Sequence, residues 1–472
     1  MGSTFGGINT ALTSLYAQRR GLEVSGQNIA NANTEGYTRQ QITLEAKGAS
    51  RNPGVYSTTD AVGAGVGVHS VERGRSVYLD ERVRTEHANS AYLATQKTSY
   101  GAIEDVMAEP SDTAIQARMH EMWDSWNDVA NNWQDPSTRA ALIERSNTVA
   151  ISLNDAHTSL SNQFDQVHNG MDTYVNKVNS LATSIADMNQ QIVVAKQTGL
   201  EANELMDARD RQVMELSELA GASTSLKPNG SMNVFIGNAA VVSDFTARKV
   251  ELTGPTTLDG ISDTSKVMLT WRNPDGAATP GGTMGAMLDT LNGIIPDVAG
   301  KLDGVAQSLI KTVNDAVQTG FAADGSTNVT FFSGTGAKDV AVAVPTADKV
   351  PFSSADPTAT PVPPATVASI NNDVADTLAG IGAAGTGPDA QYQEMIGALG
   401  VASQAAGRRS EIQDSVTDQV DSDQASESGV NLDEEMTHLL TFQRGYEAAS
   451  RVLTTIDSML DQLINRTGLV GR

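Results

Sequence analysis

The stretch SGVNLDEEMTHLLTFQRGYEAASRVLTTIDSMLDQLIN, residues 428–465, decides how the rest of the chain is read. Leu432, Leu439, Tyr446, Leu453 and Leu460 recur every seven residues, and Phe442, Ala449, Ile456 and Leu463 repeat that interval on a second row. The rows interleave at 3-4-3-4 spacing, which places both on one seam of an α-helix. Ser428-Gly429 interrupts what precedes, Asn431 is placed to cap, and Glu434 three residues later completes a capping-box pattern. Asp433, Glu434 and Glu435 fall in the first turn, where the helix dipole favours negative charge. Ordering so long a helix costs more than one apolar seam and its own hydrogen bonds return, so the seam requires a partner.

Residues 5–32 carry a second seam. Ile8, Leu15, Leu22 and Ile29 are spaced by sevens, with Phe5 and Leu12 on the adjoining row. Gly6, Gly7, Gly21 and Gly26 weaken it, each by about 1 kcal/mol relative to alanine in a helix interior. Its period and length match the C-terminal seam, which is therefore its expected mate. The predicted fold is mainly α with β portions, a discontinuous, axially extended, multi-domain chain. An inner domain pairs residues 1–44 with 429–472 in a coiled-coil-like bundle. A middle helical domain with a β portion takes 45–320 and 385–428, and a small outer module of strand and loop takes 321–384.

Within that frame, Leu79 to about Leu219 reads as helix with breaks at Pro110, Pro136 and Gly170. Trp123, Trp126 and Trp133 fall at helical spacing and read as helix packing, not as a ligand-stacking stripe. Lys227 to Gly230 is a turn, strands follow to about Trp271, and helix returns from Gly281. Residues 335–367 are poor in helix signal and rich in proline. Asp414 to Ser428, polar and charged, reads as a solvated or flexible joint between two bundles.

Composition excludes several function classes. At 472 residues, a net charge of −24 and a pI near 4.5 argue against nucleic acid as a partner, because phosphate contacts need a basic face. No apolar run approaches bilayer length, so no membrane partner is expected. In MGSTFGGINTALTSLYAQRR the basic pair follows the apolar residues, the reverse of a cleaved secretory signal. Cysteine is absent, which excludes disulfides and thiol chemistry. The six histidines are scattered and form no H-E-x-x-H pair; His157 and His168, eleven apart, suit neighbouring helix faces and not one metal. Gly63, Gly65 and Gly67 lack the G-x-G-x-x-G spacing of a phosphate loop, and no helix opens after them. No catalytic set, cofactor or metal site is expected.

The first helix runs out through Asn28-Ile29-Ala30-Asn31-Ala32-Asn33-Thr34-Glu35-Gly36-Tyr37, where Asn and Gly suit a helix end, and leaves extended from Tyr37 to Leu44. NIANANTEGYTRQ resembles the N-terminal signature of flagellar axial proteins, the rod, hook and hook-associated families. Residues 428–465 resemble the C-terminal end of one of these, the hook-associated protein 1 (first hook–filament junction) family. Residues 203–216, 281–317 and 318–334 are similar to internal stretches of that family.

The resemblance implies a structural role: a homo-oligomer joining hook to filament, outside the cell in the flagellum, exported without a cleaved signal peptide. Implied partners are the flagellar hook protein, the second hook–filament junction protein and a cytoplasmic export chaperone masking the C-terminal seam. The terminal helices would stay weakly ordered alone and fold on docking. Expected interface residues are Ile8, Leu12, Leu15, Leu22, Asn28, Ile29, Asn31, Asn33, Gly36 and Tyr37 near one end. At the other they are Asn431, Leu432, Leu439, Phe442, Tyr446, Leu453, Ile456, Leu460 and Leu463. Another axial protein (hook, rod or second junction protein) is the first alternative, separated by the NLDEEM…QRGYEAASRVL ending. A non-flagellar coiled-coil scaffold or adhesin is the second, and it has no reason to carry NIANANTEGY.

Overall fold

The computed structural model describes residues 4–34, 36–48, 63–272, 276–359, 371–382 and 384–466. The chain opens with helix α1 (Thr4–Ala30), followed by the hairpin β1 (Gln40–Ala46) and β2 (Val66–Arg73). Four helices come next: α2 (Val77–Met107), α3 (Ile115–Asn131), α4 (Pro136–Gln197) and α5 (Asn203–Ala220). An antiparallel sheet takes β3 (Ala222–Leu226), β4 (Met232–Ile236), β5 (Ala239–Ser243) and β6 (Thr246–Ala247) in sequence order. A second takes β7 (Val250–Thr253), β8 (Met268–Trp271) and β9 (Ala277–Ala278).

Helices α6 (Gly282–Asp289) and α7 (Ile295–Gln318) follow, separated by one π-helical turn at Thr290–Ile294. The short strands β10 (Phe321–Ala322), β11 (Phe332–Ser333), β12 (Ala341–Val342) and β13 (Pro351–Ser353) then pair β10 with β13 and β11 with β12. The chain closes with α8 (Asp373–Ile381), α9 (Pro388–Ser428) and α10 (Leu432–Asp461). It is mostly helical with small sheets.

Local chemistry explains most boundaries. The Ser76 hydroxyl accepts the Leu79 N–H to start α2, which ends at Ala108 in the left-handed region, just before Pro110. Asp135 caps α4 by accepting from Ser137 N–H, with Pro136 at the first helical position. The break expected at Gly170 does not occur: α4 runs unbroken for 62 residues. Gly170 is there for closeness, since a β-carbon on it would stand 3.2 Å from Met287 Cε. The true break comes at Gly199, with φ +75°, before α5.

Asp414 to Ser428 also differs from expectation. It is the last part of a continuous 41-residue α9 packed along α2, with Thr417 and Val420 buried. Ser90 Oγ donates to Asp414, Gln413 to Glu86, and Gln424 to Asp80.

Two hydrophobic clusters carry the body. One gathers α3, the first half of α4, α7, α8 and the start of α9, with Trp126 and Phe331 at 5.4 Å between ring centroids. Phe331, Phe332, Val340, Phe352 and Leu378 belong to this same cluster. Residues 321–384 thus have no core of their own among the described residues, because strands two or three residues long cannot enclose one. Trp123 and Trp126 are buried, while Trp133, just past α3, stacks on Phe352 at 5.8 Å. The second cluster joins the later half of α4, α5 and α6 to the two larger sheets, through residues such as Ile185, Leu216, Val234 and Trp271. α1 and α10 belong to neither cluster; they lie against each other.

Candidate functional site: the terminal helix pair and its polar base

α1 and α10 run antiparallel in one constant register. A β-carbon on Gly7 would stand 3.2 Å from Ile456 Cδ1, one on Gly21 2.6 Å from Phe442 Cδ1, and one on Gly445 2.7 Å from Gln18 Cδ. The α1 row that meets α10 is therefore Gly7, Ala11, Ser14, Gln18, Gly21 and Ser25, small or polar at 4-3-4-3-4 spacing. This corrects the expected seam. Ile8, Leu15, Leu22 and Ile29 lie one residue round the helix, only half-buried, and Leu12 is exposed. Phe5's side chain lies outside the described residues. The reason is steric: bulky Phe442 and Ile456 on one helix seat against glycine on the other, where a leucine would hold the helices apart.

On α10 the expected row is nearer the mark. Ala449 is buried, and Leu439, Phe442, Leu453, Ile456 and Leu460 are half-buried. Leu432, Tyr446 and Leu463 are exposed, as are Met436, Leu440, Val452 and Met459; on α1 so are Leu12 and Tyr16. The pair thus has one closed seam, and on either flank of it α10 leaves apolar residues open, Met436 and Leu440 on one and Val452 and Met459 on the other. Both terminal segments are helical in this structure.

The base of the pair is polar. Asn28, 1% exposed, accepts at Oδ1 from Gln40 N–H (3.0 Å) and Tyr37 O–H (2.8 Å), and donates from Nδ2 to Gln40 O (2.8 Å). Its amide pairs with the Gln40 backbone as a neighbouring strand would, turning the chain back along α1. Burial, then the nearby Asp207, Glu435 and Glu204 carboxylates, push the Tyr37 phenol up to about 12, so it stays a neutral donor. Asn31 accepts from Thr34 O–H and donates to Gln27 O, Asn33 is exposed, and Gly36 has φ +73° with Arg211 against it. Asn28, Asn31 and Tyr37 therefore spend their hydrogen bonds within this chain.

Arg39 joins the two places where the backbone crosses into the pair. Its N–H donates to Ser428 O at 3.1 Å, and its guanidinium holds Glu434 at 3.0 Å and Glu435 at 2.8 Å. Asn431 Oδ1 caps α10 by accepting from the Asp433 and Glu434 N–H groups. The expected reciprocal half of the capping box is diverted, since the Glu434 carboxylate goes to Arg39.

An acidic row at Glu201, Glu204, Asp207 and Asp210 faces the base from the start of α5. Glu201 takes Arg20 at 2.9 Å and Val71 N–H at 3.0 Å; Glu204 takes Gln27; Asp207 takes Thr38 N–H and Arg73. Asp210 takes Arg73 and Arg75. Burial opposes ionisation of Asp210, but Arg73, Arg75 and Arg209 outweigh it and hold its carboxyl below the usual range. Sequence reasoning missed this row, although acids at every third position were its signal. Among the described residues no cluster of His, Asp or Glu is disposed to hold a metal ion, and no helix is long and apolar enough to cross a membrane.

Residues 100–332 match the family model described as the helical domain of flagellar hook-associated protein FlgK. Over its whole length the chain is 29% identical to flagellar hook-associated protein 1 of Bacillus subtilis (strain 168), covering 100% of that relative. Over its whole length this chain is similar to flagellar hook-associated protein 1. The relative from Escherichia coli (strain K12) is 25% identical, over 97% of this chain and 99% of its own. The flagellar hook junction protein FlgK from Burkholderia pseudomallei shares the fold, with a TM-score of 0.64, covering 74% of this chain and 100% of that one at 14% identity.

Two further models place the terminal pair. Residues 8–38 match the flagella basal body rod protein family, and 425–466 match the C-terminal part of the rod FlgEFG proteins. What this hook-associated protein has in common with rod proteins is thus α1 with its Asn28–Tyr37 turn, and the end of α9 with α10.

Proposed function

We propose that this hook-associated protein, a structural component of the flagellum, is a subunit of the joint between hook and filament and assembles through the apolar residues left open on both flanks of α10. The observation carrying this reading is the apolar surface that the mated seam leaves uncovered on α10. One seam is mated within the chain, and its two flanks leave Met436 and Leu440, and Val452 and Met459, in solvent. Exposed apolar pairs at helical spacing, Met436 with Leu440 and Val452 with Met459, suit a partner helix on each flank. Its neighbours in this reading are further copies of itself, the hook protein and the second junction protein, with helices packing in coiled-coil fashion. An export chaperone covers these α10 residues before export, which proceeds without a cleaved signal.

The test is complementation of a strain lacking this protein with Met436→Asp and Val452→Asp together. Hooks without filaments, filament subunits shed into the medium and an unchanged far-ultraviolet dichroism spectrum of the purified variant are the expected results. Normal motility with attached filaments would overturn the reading.

A further inference from the structure

The two hydrophobic clusters of the body meet across a thin boundary. On α4 the first ends at Phe164 and the second begins at Met171; along α6 and α7 the change falls between Met287 and Leu291. Among the described residues three partly buried side chains, Val167, Leu252 and Leu288, pack against both clusters. Tilting one half on the other therefore exposes little apolar surface, and each core stays closed.

Every long helix that crosses this level is locally weak there. The π-helical turn Thr290–Ile294 interrupts the run from α6 to α7 and contains Gly293. Gly170 on α4 meets Met287 Cε, and Gly101 on α2 lies two residues past Ser99, whose hydroxyl accepts from Thr290 Oγ1 at 2.9 Å. Gly407 on α9 shares with Gly101 a groove of ≈ 560 Å³ between α2 and α9. Gly101, Gly293 and Gly407 have open space where a β-carbon would stand, and none has a positive φ. Neither packing nor backbone conformation asks for glycine at these three positions, although glycine is the least stabilising helix residue short of proline. What glycine and a π-turn supply inside a helix is a place to bend.

Gly300 and Gly304 on α7, and Gly397 and Gly400 on α9, are as open, but beside them Leu302, Val305, Met395 and Leu399 are packed into the first core. There the neighbours hold the helix in place; at the boundary they do not. A tie also crosses the level. Leu258 and Val267, from the β7–β8 connection, belong to the first cluster, and Asn292 accepts the Val267 N–H and donates to Val267 O, each at 2.8 Å. It fixes a pivot beside the π-turn.

We propose that the body flexes as two rigid halves about a plane through Gly101, Gly170, Thr290–Ile294 and Gly407. The pivot is the Asn292–Val267 pair, and α2 and α9 shift against each other at their groove as the halves tilt. This is a property of the body alone and involves neither the terminal helices nor any neighbour.

The chain has no cysteine, so paired substitutions in the full-length protein take spin labels cleanly. Asp128→Cys on α3 with Gln190→Cys on the later part of α4 spans the plane. Asp128→Cys with Gln318→Cys at the end of α7 stays within the first half, and all three positions are exposed. Double electron–electron resonance should give a broad distance distribution for the spanning pair and a narrow one for the other. Gly101→Ala, Gly293→Ala and Gly407→Ala together add methyl groups in open space, so helicity is kept, and they should narrow the spanning distribution to the width of the second pair. Gly300→Ala with Gly304→Ala should leave the spanning distribution as broad as in the parent. Equal widths for the two pairs in the parent overturn the proposal. So does a spanning distribution that stays broad in the triple variant, or that narrows as much with Gly300→Ala and Gly304→Ala.

Discussion

Helices α7 and α10 are similar in length and opposite in circumstance. α7, with 24 residues, buries Ile295, Val298, Leu302, Leu309, Val313 and others along one stripe inside the first core. α10, with 30, buries only Glu435 and Ala449, although its apolar rows are as regular. Periodicity alone does not say whether a seam is satisfied within the chain. The body is finished by its own side chains; the terminal pair is half finished, held by a narrow seam and a polar base.

The largest effect that would sharpen this contrast lies in the body. Phe331 is fully buried against Trp126 and Phe332. Phe331→Ala should cost about 3–5 kcal/mol in chemical denaturation, as other large-to-small core changes do. Leu440→Ala, on exposed α10, should fall within about 0.5 kcal/mol. Equal losses at the two sites would erase the distinction drawn between the regions.

Next in size is the polar base of the pair. Arg39→Gln leaves the buried Glu435 carboxylate without its cation, a local loss of about 2–3 kcal/mol for charge-assisted hydrogen bonds. It should appear as faster amide hydrogen exchange in the first turns of α10, and as earlier proteolytic trimming after residue 430. Exchange within α7 should stay as in the parent; a slowdown or no change at α10 would show that the base does not hold the pair.

A smaller but sharper test uses two glycines of one helix. Gly26 has open space where a β-carbon would stand, so Gly26→Ala should gain about 0.5–1 kcal/mol from helix propensity. Gly21 faces Phe442 Cγ, Cδ1 and Cε1 within 2.7 Å of that position, so Gly21→Ala should instead lose about 1–3 kcal/mol by overpacking. Cγ sits close to the α10 backbone, so ring rotation alone cannot clear the clash. Opposite signs in the thermal melting of the terminal pair are the expected result; two gains would place α10 on another face of α1.

The same two residues show what was legible in the sequence. The cap at Asn431 and the α10 row could be read because both are local and periodic. Gly7 and Gly21 were read as weaknesses in a leucine seam, since helix propensity scores a residue without its neighbour. Packing makes them the points of closest approach instead. Asp414 to Ser428 looked solvated because its charges dominate the count, yet Thr417 and Val420 recur on the one face turned to α2. The acidic row from Glu201 to Asp210 was present in sequence, but its partners Arg20, Gln27, Thr38 and Arg73 lie more than a hundred residues away. Only folding brings them together. Asn28 likewise looked like one polar residue in a helix end, while its partner is the Gln40 backbone rather than any side chain pattern.

The α2–α9 packing that leads from the finished body to the unfinished pair supplies the smallest and most specific prediction. His87 on α2 faces Glu218 on α5 at 3.1 Å and Asp421 on α9 at 2.9 Å. The hydrogen bond with Glu218, helped by Asp421 and opposed by burial, raises its pKa from 6.5 to about 9. A raised folded-state pKa means the imidazolium stabilises the fold fully below about 6.5, and that this contribution is lost as pH rises through about 9. With both carboxylates partly in solvent, the expected size is about 1 kcal/mol. His87→Gln keeps a neutral donor but has no charge to lose, so its stability deficit should be greatest near pH 6 and shrink toward pH 10. Thermal melts of parent and variant across that range, read at the helical signal, test this directly. A constant deficit would mean that His87 holds α2, α5 and α9 by shape alone, and that charge at this crossing does not help fasten them.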